Sequence, residues 1–214
     1  MIAADLRRLM GIPGLAGHEH RVRAALAEAM PVPTRSDPMG NLIATFPGHG
    51  PAVMLFTHMD QLGLIVRKVE ADGLCRVHRV GGVPERALPA REVVLMTERG
   101  DVPGVIGMTS HHATPPEEKG RVAPAAELFI DTGHRSKDEA EAAGLRIGTP
   151  VTYAPRVVEL AGGRIAGTAV DDRAGCAVLL DVARALAVRE GGPEVHLVFT
   201  TQEEFNLRGA QVAA

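Results

Sequence analysis

The chain has no tryptophan, one tyrosine and 3% aromatic residues in all, which argues against a carbohydrate cleft, where aromatic faces normally stack on sugar rings. Cysteine is almost as scarce. Cys75 and Cys176 stand far apart and form neither a metal-type pair nor a disulfide framework, so both read as free, buried thiols in a reducing compartment. Neither sign of charge prevails: 23 Lys and Arg against 26 Asp and Glu leave a net charge of −3. The two signs are interspersed, with no basic footprint for nucleic acid and no acidic tail. Long hydrophobic runs are missing too. No window reaches the roughly 18 apolar residues of a membrane-spanning helix, and Asp5, Arg7 and Arg8 interrupt the first stretch before a targeting segment develops. Nucleic acid and membrane are therefore not expected as partners, and a cytoplasmic location is expected.

What remains is an ordinary globular composition, 45% hydrophobic and 23% charged, in 214 residues, enough for one large domain or two small ones. Helices are predicted over 3–10 and 19–30, the second ended by Pro31 and Pro33. "PAVMLFT" is an unbroken apolar run of the kind buried on both faces of an α/β sheet. The next hundred residues change character. Short β-runs joined by Asp-Gly and Gly-Asp turns predict hairpins of a compact all-β unit, and Ser136-x-x-Glu139 opens a short helix with a capping-box pattern. From about Gly162 the α/β pattern resumes, with Cys176, Leu179, Leu180, Ala183, Leu186 and Ala187 on one helical face and "EVHLVFTT" as a further buried strand. The predicted class is α/β, a mixed-sheet domain formed by residues 1–63 and 162–214 and interrupted by a small, barrel-like all-β insertion over 64–161.

Polar groups at the carboxyl ends of sheet strands are natural site candidates. His58 and Asp60 follow the first apolar strand two residues apart, so on extended backbone they face the same side. An aspartate there can take the second ring N–H of a ligating histidine; a plain buried His–Asp pair would look the same. Asp171 and Asp172 precede the long helix, where an aspartate also serves as an ordinary N-cap. Glu203 and Glu204 end the last strand. Adjacent carboxylates there repel and lose hydration unless cations or protons compensate, and on a strand end they would point to opposite sides, one toward a metal and one toward a water. His111 and His112 lie in a proline-bearing loop and read as solvated.

Taken in order, "HMDQLGLIV", "GTAVDDRAG" and "TTQEEFNLRGA", with a β insertion between the first two, resemble the dinuclear-metal aminopeptidases that form tetrahedral particles. That family includes glutamyl and leucyl aminopeptidases and proteins once labelled endoglucanases. "GIPGLAGHE", "DPMGNLIATFPG" and "GGVPERALPAREVVL" extend the resemblance along nearly the whole chain. It implies an α/β metallopeptidase with two divalent metal ions, zinc or cobalt, short peptide substrates, and self-association through the inserted β domain. By the same resemblance His58 is a ligand of one metal, Asp171 bridges both, Glu204 binds the second, Glu203 is the general base, Asp60 orients His58, and a cis peptide joins Asp171 to Asp172.

Two departures stand out. Gln61 occupies a position where glutamate is common, and residues 205–214 contain none of the further carboxylate and histidine that the family draws from beyond the Glu pair. The catalytic domain is therefore expected to lack its C-terminal part, with weak metal binding and little activity from these 214 residues alone. A catalytically incomplete oligomeric scaffold, or a related metal-dependent deacylase or carboxypeptidase, is the alternative reading.

Overall fold

A computed structural model describes all residues from Met1 to Ala214. Helices α1 (Ile2–Met10) and α2 (His20–Ala29) come first, followed by strands β1 (Thr34–Ser36), β2 (Leu42–Phe46) and β3 (Val53–His58). Then come β4 (Gly63–Val69), β5 (Cys75–Val80), β6 (Glu92–Thr97), β7 (Gly100–Gly107), β8 (Phe129–Asp131), helix α3 (Lys137–Ala142) and β9 (Pro150–Tyr153). The chain finishes with β10 (Val157–Leu160), β11 (Arg164–Gly167), α4 (Val170–Leu186), β12 (Val195–Thr200) and α5 (Arg208–Ala213). It divides into two compact units, one of residues 1–61 with 155–214 and one of residues 62–154. The hairpin β10–β11 thus belongs with the first unit, whereas the sequence pattern had put the second junction at residue 161.

The first unit is a mixed four-stranded sheet in the order β1-β2-β12-β3. β12 runs antiparallel to β2 and parallel to β3, with Thr200 opposite His58. This register decides where the chemistry sits, because two parallel strands that end level with each other deliver their following residues to one edge of the sheet. Helix α4 lays Cys176, Leu179, Leu180 and Ala183 into a core shared with Leu42, Ala44, Leu197 and Phe199, as its 3.6-residue spacing predicts. Helix α2 stops at Met30, which is extended (φ −71°, ψ 133°) because the ring of Pro31 disfavours a helical residue before it.

One strand differs from expectation. The apolar run of β3 was expected to be buried on both faces, yet Val53, Met54 and Phe56 are 41%, 39% and 43% exposed. The reason is position: β3 is an edge strand, and hydrophobicity along a strand does not reveal whether a neighbour or a helix covers it.

The second unit is a closed antiparallel barrel in the order β4-β5-β8-β7-β6-β9, with β9 pairing back onto β4. Leu64, Val66, Val77, Val93, Leu95, Ile106, Ile130 and Val151 fill it, and closure leaves no unpaired sheet edge. The β4–β5 turn needs glycine twice over: Gly73 has a φ of +88°, and a Cβ there would lie 2.5 Å from the His134 carbonyl oxygen. The capping motif of α3 forms with a shift. Ser136 Oγ accepts from the Glu139 N–H, while the Glu139 carboxylate takes the N–H of Arg135 rather than that of Ser136. No helix is long and apolar enough to cross a membrane.

Candidate functional site

The parallel pairing of β3 and β12 continues past both strand ends. Met59 N–H donates to Thr200 O at 2.8 Å, and the Thr200 hydroxyl donates to Thr57 O at 3.1 Å, so the segments carrying His58 and Glu203 leave the sheet locked together. Residues 203–205 then form a 3-10 turn. The expectation that Glu203 and Glu204 alternate as on a strand is therefore replaced by a turn in which both backbone N–H groups face one acceptor. That acceptor is Asp60, fully buried, whose two oxygens receive Glu203 N and Glu204 N at 3.0 Å each.

The two adjacent aspartates divide their work. Asp172 is the helix cap foreseen as the ordinary reading: its Oδ1 accepts from Gly175 N at 2.8 Å, and its Oδ2 accepts the Thr57 hydroxyl at 2.5 Å. This frees Asp171, whose side chain is 88% exposed and meets His58 Nε2 through Oδ1 at 3.1 Å. The bond between the two aspartates is cis. Glu203 Oε2 lies 3.7 Å from the same His58 nitrogen, and Asp60 Oδ1 faces the other ring nitrogen, Nδ1, at 3.4 Å. That last contact is too poorly aligned to be a hydrogen bond, and buried Nδ1 has no other partner.

The electrostatics follow from this crowding. Burial pulls the His58 imidazole down, but Asp60 by close contact and charge, with the charges of Glu203 and Asp172, outweighs it and raises the pKa to about 9. The Glu204 carboxyl is pushed above its ordinary range, first by burial and then by the charge of Glu203. So many acidic groups around one imidazole make a pocket of negative potential that favours a cation.

The residues fit a divalent ion in chemistry and in one spacing. Two atoms each about 2.0–2.2 Å from a tetrahedral ion stand roughly 3.3–3.6 Å apart, close to the 3.1 Å between His58 Nε2 and Asp171 Oδ1. Imidazole with carboxylates is a donor set for zinc or cobalt. As placed, no three His, Cys, Asp or Glu side chains close around one point, and no ion pair links Glu204 to His58. Of the five residues to which the sequence assigned roles in the site, His58, Asp60, Asp171 and Glu203 come together around one imidazole, while Glu204 joins through its backbone. His111 and His112 are exposed and belong to the barrel unit.

Two buried charges escaped the sequence reading. Arg173 is wholly buried and donates to the carbonyls of Met59 and Ile12 and to Gln61 Oε1, stitching helix α4 to the segment after β3. Glu19 is 5% exposed and accepts the N–H groups of Gly17 and Gln202 at 2.8 and 2.9 Å. The only sequence signal for either was a charge beside a glycine-rich turn.

This fold and its strand-end groups define a class, the one represented by the TET peptidases. The Pyrococcus horikoshii TET1 peptidase, which can assemble into a tetrahedron or a large octahedral shell, matches with a TM-score of 0.91 at 31% identity, over 100% of this chain and 64% of its own. Residues 40–214 match the M42 glutamyl aminopeptidase family, and the chain belongs to that family. It is similar to the putative aminopeptidase SgcX of Escherichia coli K12, 39% identical over 81% of this chain and 47% of that protein. It is also similar to the lysyl aminopeptidase of Pyrococcus furiosus, 34% identical over 98% of this chain and 61% of that protein. The chain thus spans about half to three fifths of the length of these two relatives.

Proposed function

We propose that the protein is a metal-dependent aminopeptidase that removes N-terminal residues from short peptides in the cytoplasm. His58, Asp171 and Glu204 would hold two divalent ions, zinc or cobalt. The observation that carries this reading is the meeting of His58 Nε2 with Asp171 Oδ1 at 3.1 Å, with Glu203 Oε2 3.7 Å away, where two parallel strands end. Family membership supports the metal dependence and the peptidase chemistry.

Ions bound there would polarise the scissile carbonyl and lower the pKa of a shared water. The protein's own groups do the rest. Glu203 takes a proton from the attacking water as the new C–O bond forms, and returns it to the amine nitrogen as the C–N bond breaks. Asp60, facing Nδ1, would favour the tautomer that leaves the Nε2 lone pair free for an ion. Self-association is supported by the assembly of the Pyrococcus horikoshii relative, and we assign it to the barrel unit.

Glu203→Gln tests the mechanism. Metal binding is expected to survive while kcat falls by about 10²–10⁴, the usual contribution of a general base; activity within a few-fold of wild type would remove the assignment. Light scattering on a variant lacking the barrel tests the assembly: a monomer is expected, and the parent oligomer would refute it. A second reading, an oligomeric scaffold with weak metal binding, is favoured by the failure of any three donors to converge. Metal stoichiometry separates the two, since a scaffold would hold fewer than two ions per chain.

A further inference from the structure

Three consecutive backbone N–H groups point at two buried carboxylates. Gln202 donates to Glu19 Oε1 at 2.9 Å, Glu203 to Asp60 Oδ1 at 3.0 Å, and Glu204 to Asp60 Oδ2 at 3.0 Å. The chain reaches this arrangement because Gln202 is left-handed, with φ 51°, which turns the peptide planes after β12 so that successive N–H groups gather on one side. Glu19 is 5% exposed and Asp60 fully buried, and carboxylates so far from water stay charged only when hydrogen-bonded and balanced. The N–H groups supply the hydrogen bonds. Balancing charge comes from Arg173, itself fully buried and near enough to feel the charges of both Asp60 and Glu19, and from His58, whose Nδ1 faces Asp60 at 3.4 Å. Glu19 Oε1 also accepts the Gly17 N–H, which ties the loop before α2 to the same oxygen.

We propose that Glu19 is a positioning residue: with Asp60 it clamps the backbone of Gln202, Glu203 and Glu204, and so fixes the direction of the Glu203 carboxylate. Asp60 holds the turn at two points beyond residue 202, and the Gln202 carbonyl accepts the N–H groups of Phe205 and Arg208 at 3.4 and 3.2 Å, which leaves the Gln202 N–H to be held from elsewhere. The third point, on Gln202 itself, is the one Glu19 supplies. The catalytic importance of this clamp rests on the aminopeptidase reading; the clamp itself does not.

The test combines backbone amide exchange on the metal-free protein with steady-state kinetics on the metal-loaded protein, for wild type, Glu19→Gln and Glu19→Ala. Glutamine can still offer one oxygen to Gly17 and Gln202, without charge; alanine offers none. Hydrogen bonds to a charged acceptor are strong enough that the Gln202 amide should exchange about tenfold faster or more in the alanine variant. The glutamine variant should fall between, with both measured relative to Leu197 and Phe199 in β12. kcat should fall in the same order while KM stays within about twofold, because the clamp sets the direction of a proton acceptor and touches no substrate. Unchanged Gln202 exchange relative to those strand amides, or a glutamine variant as impaired as the alanine one, would overturn the proposal. If the alanine variant does not fold, the glutamine variant decides alone: faster exchange confined to Gln202 and Gly17 supports the clamp, and unchanged exchange at Gln202 refutes it. Glu203→Gln, assayed alongside, keeps the two claims apart, since full activity there would remove the general base and leave the clamp to be judged on exchange.

Discussion

Inside the barrel of residues 62–154 the buried polar side chains are those of Thr97, Thr149 and Thr152, whereas the other unit buries Glu19, His58, Asp60 and Arg173 besides several neutral polar groups. Backbone conformation divides in the same way. Of five non-glycine residues with positive φ, the barrel has Ala90 and the other unit has Ala169, Gln202, Asn206 and Leu207. A closed barrel pairs all its edges and can rely on aliphatic burial. The α/β unit instead keeps charges out of water and holds strand-end turns in sparsely populated conformations, features that local propensity disfavours and that gather where the candidate ligands are.

The sharpest way to break this contrast is Arg173→Met. Removing the cation leaves Glu19 buried without balance and Asp60 facing His58 alone, and the loss of stability is expected to be about 3–5 kcal/mol by denaturant titration. A loss under about 1 kcal/mol would show that the buried charges are not coupled as described. Leu95→Ala probes the barrel, where loss of packing around a fully buried side chain is expected to cost about 2–4 kcal/mol and no charge is involved. Its effect should be insensitive to added metal. A smaller effect, about 1 kcal/mol, is expected for Ser136→Ala, which removes the acceptor for the Glu139 N–H at the start of α3.

The smallest effect at neutral pH belongs to Cys75. Burial pushes its thiol up to about 11 from the ordinary 9.0, so the folded barrel holds its proton more tightly than the unfolded chain. Stability is then complete below pH 9 and falls as the pH rises from there through about 11, because only the unfolded state has ionised. Denaturation midpoints of wild type and Cys75→Ala, compared at pH 7 and pH 10, read this directly; equal shifts for both proteins would exclude it. Both cysteines are buried, and neither should react with a thiol reagent until the protein unfolds.

The barrel was legible in the sequence because hairpins announce themselves: Asp72-Gly73 lies in one turn, Gly100-Asp101 opens the strand just after another, and short β-branched runs flank them. His58, Asp60, Asp171 and Glu203 were legible because each follows or precedes a strongly patterned element. The exposure of β3 was not, since an apolar run reads alike at an edge and at the centre of a sheet. Nor were Glu19 and Arg173, which in sequence look like charges of a solvated turn and a helix start. Their burial comes from the register of β12 with β3 and from the left-handed turn at Gln202, which are long-range and conformational facts that no spacing encodes.

The central claim is that His58 and Asp171 are metal ligands brought together by the ends of β3 and α4. Equilibrium dialysis against zinc, with bound metal counted for wild type, His58→Ala, Asp171→Asn and Glu203→Gln, tests it most directly. Zinc is expected to be retained by wild type and Glu203→Gln, with affinity at least about tenfold weaker in each of the other two. Equal zinc content in all four proteins would contradict it.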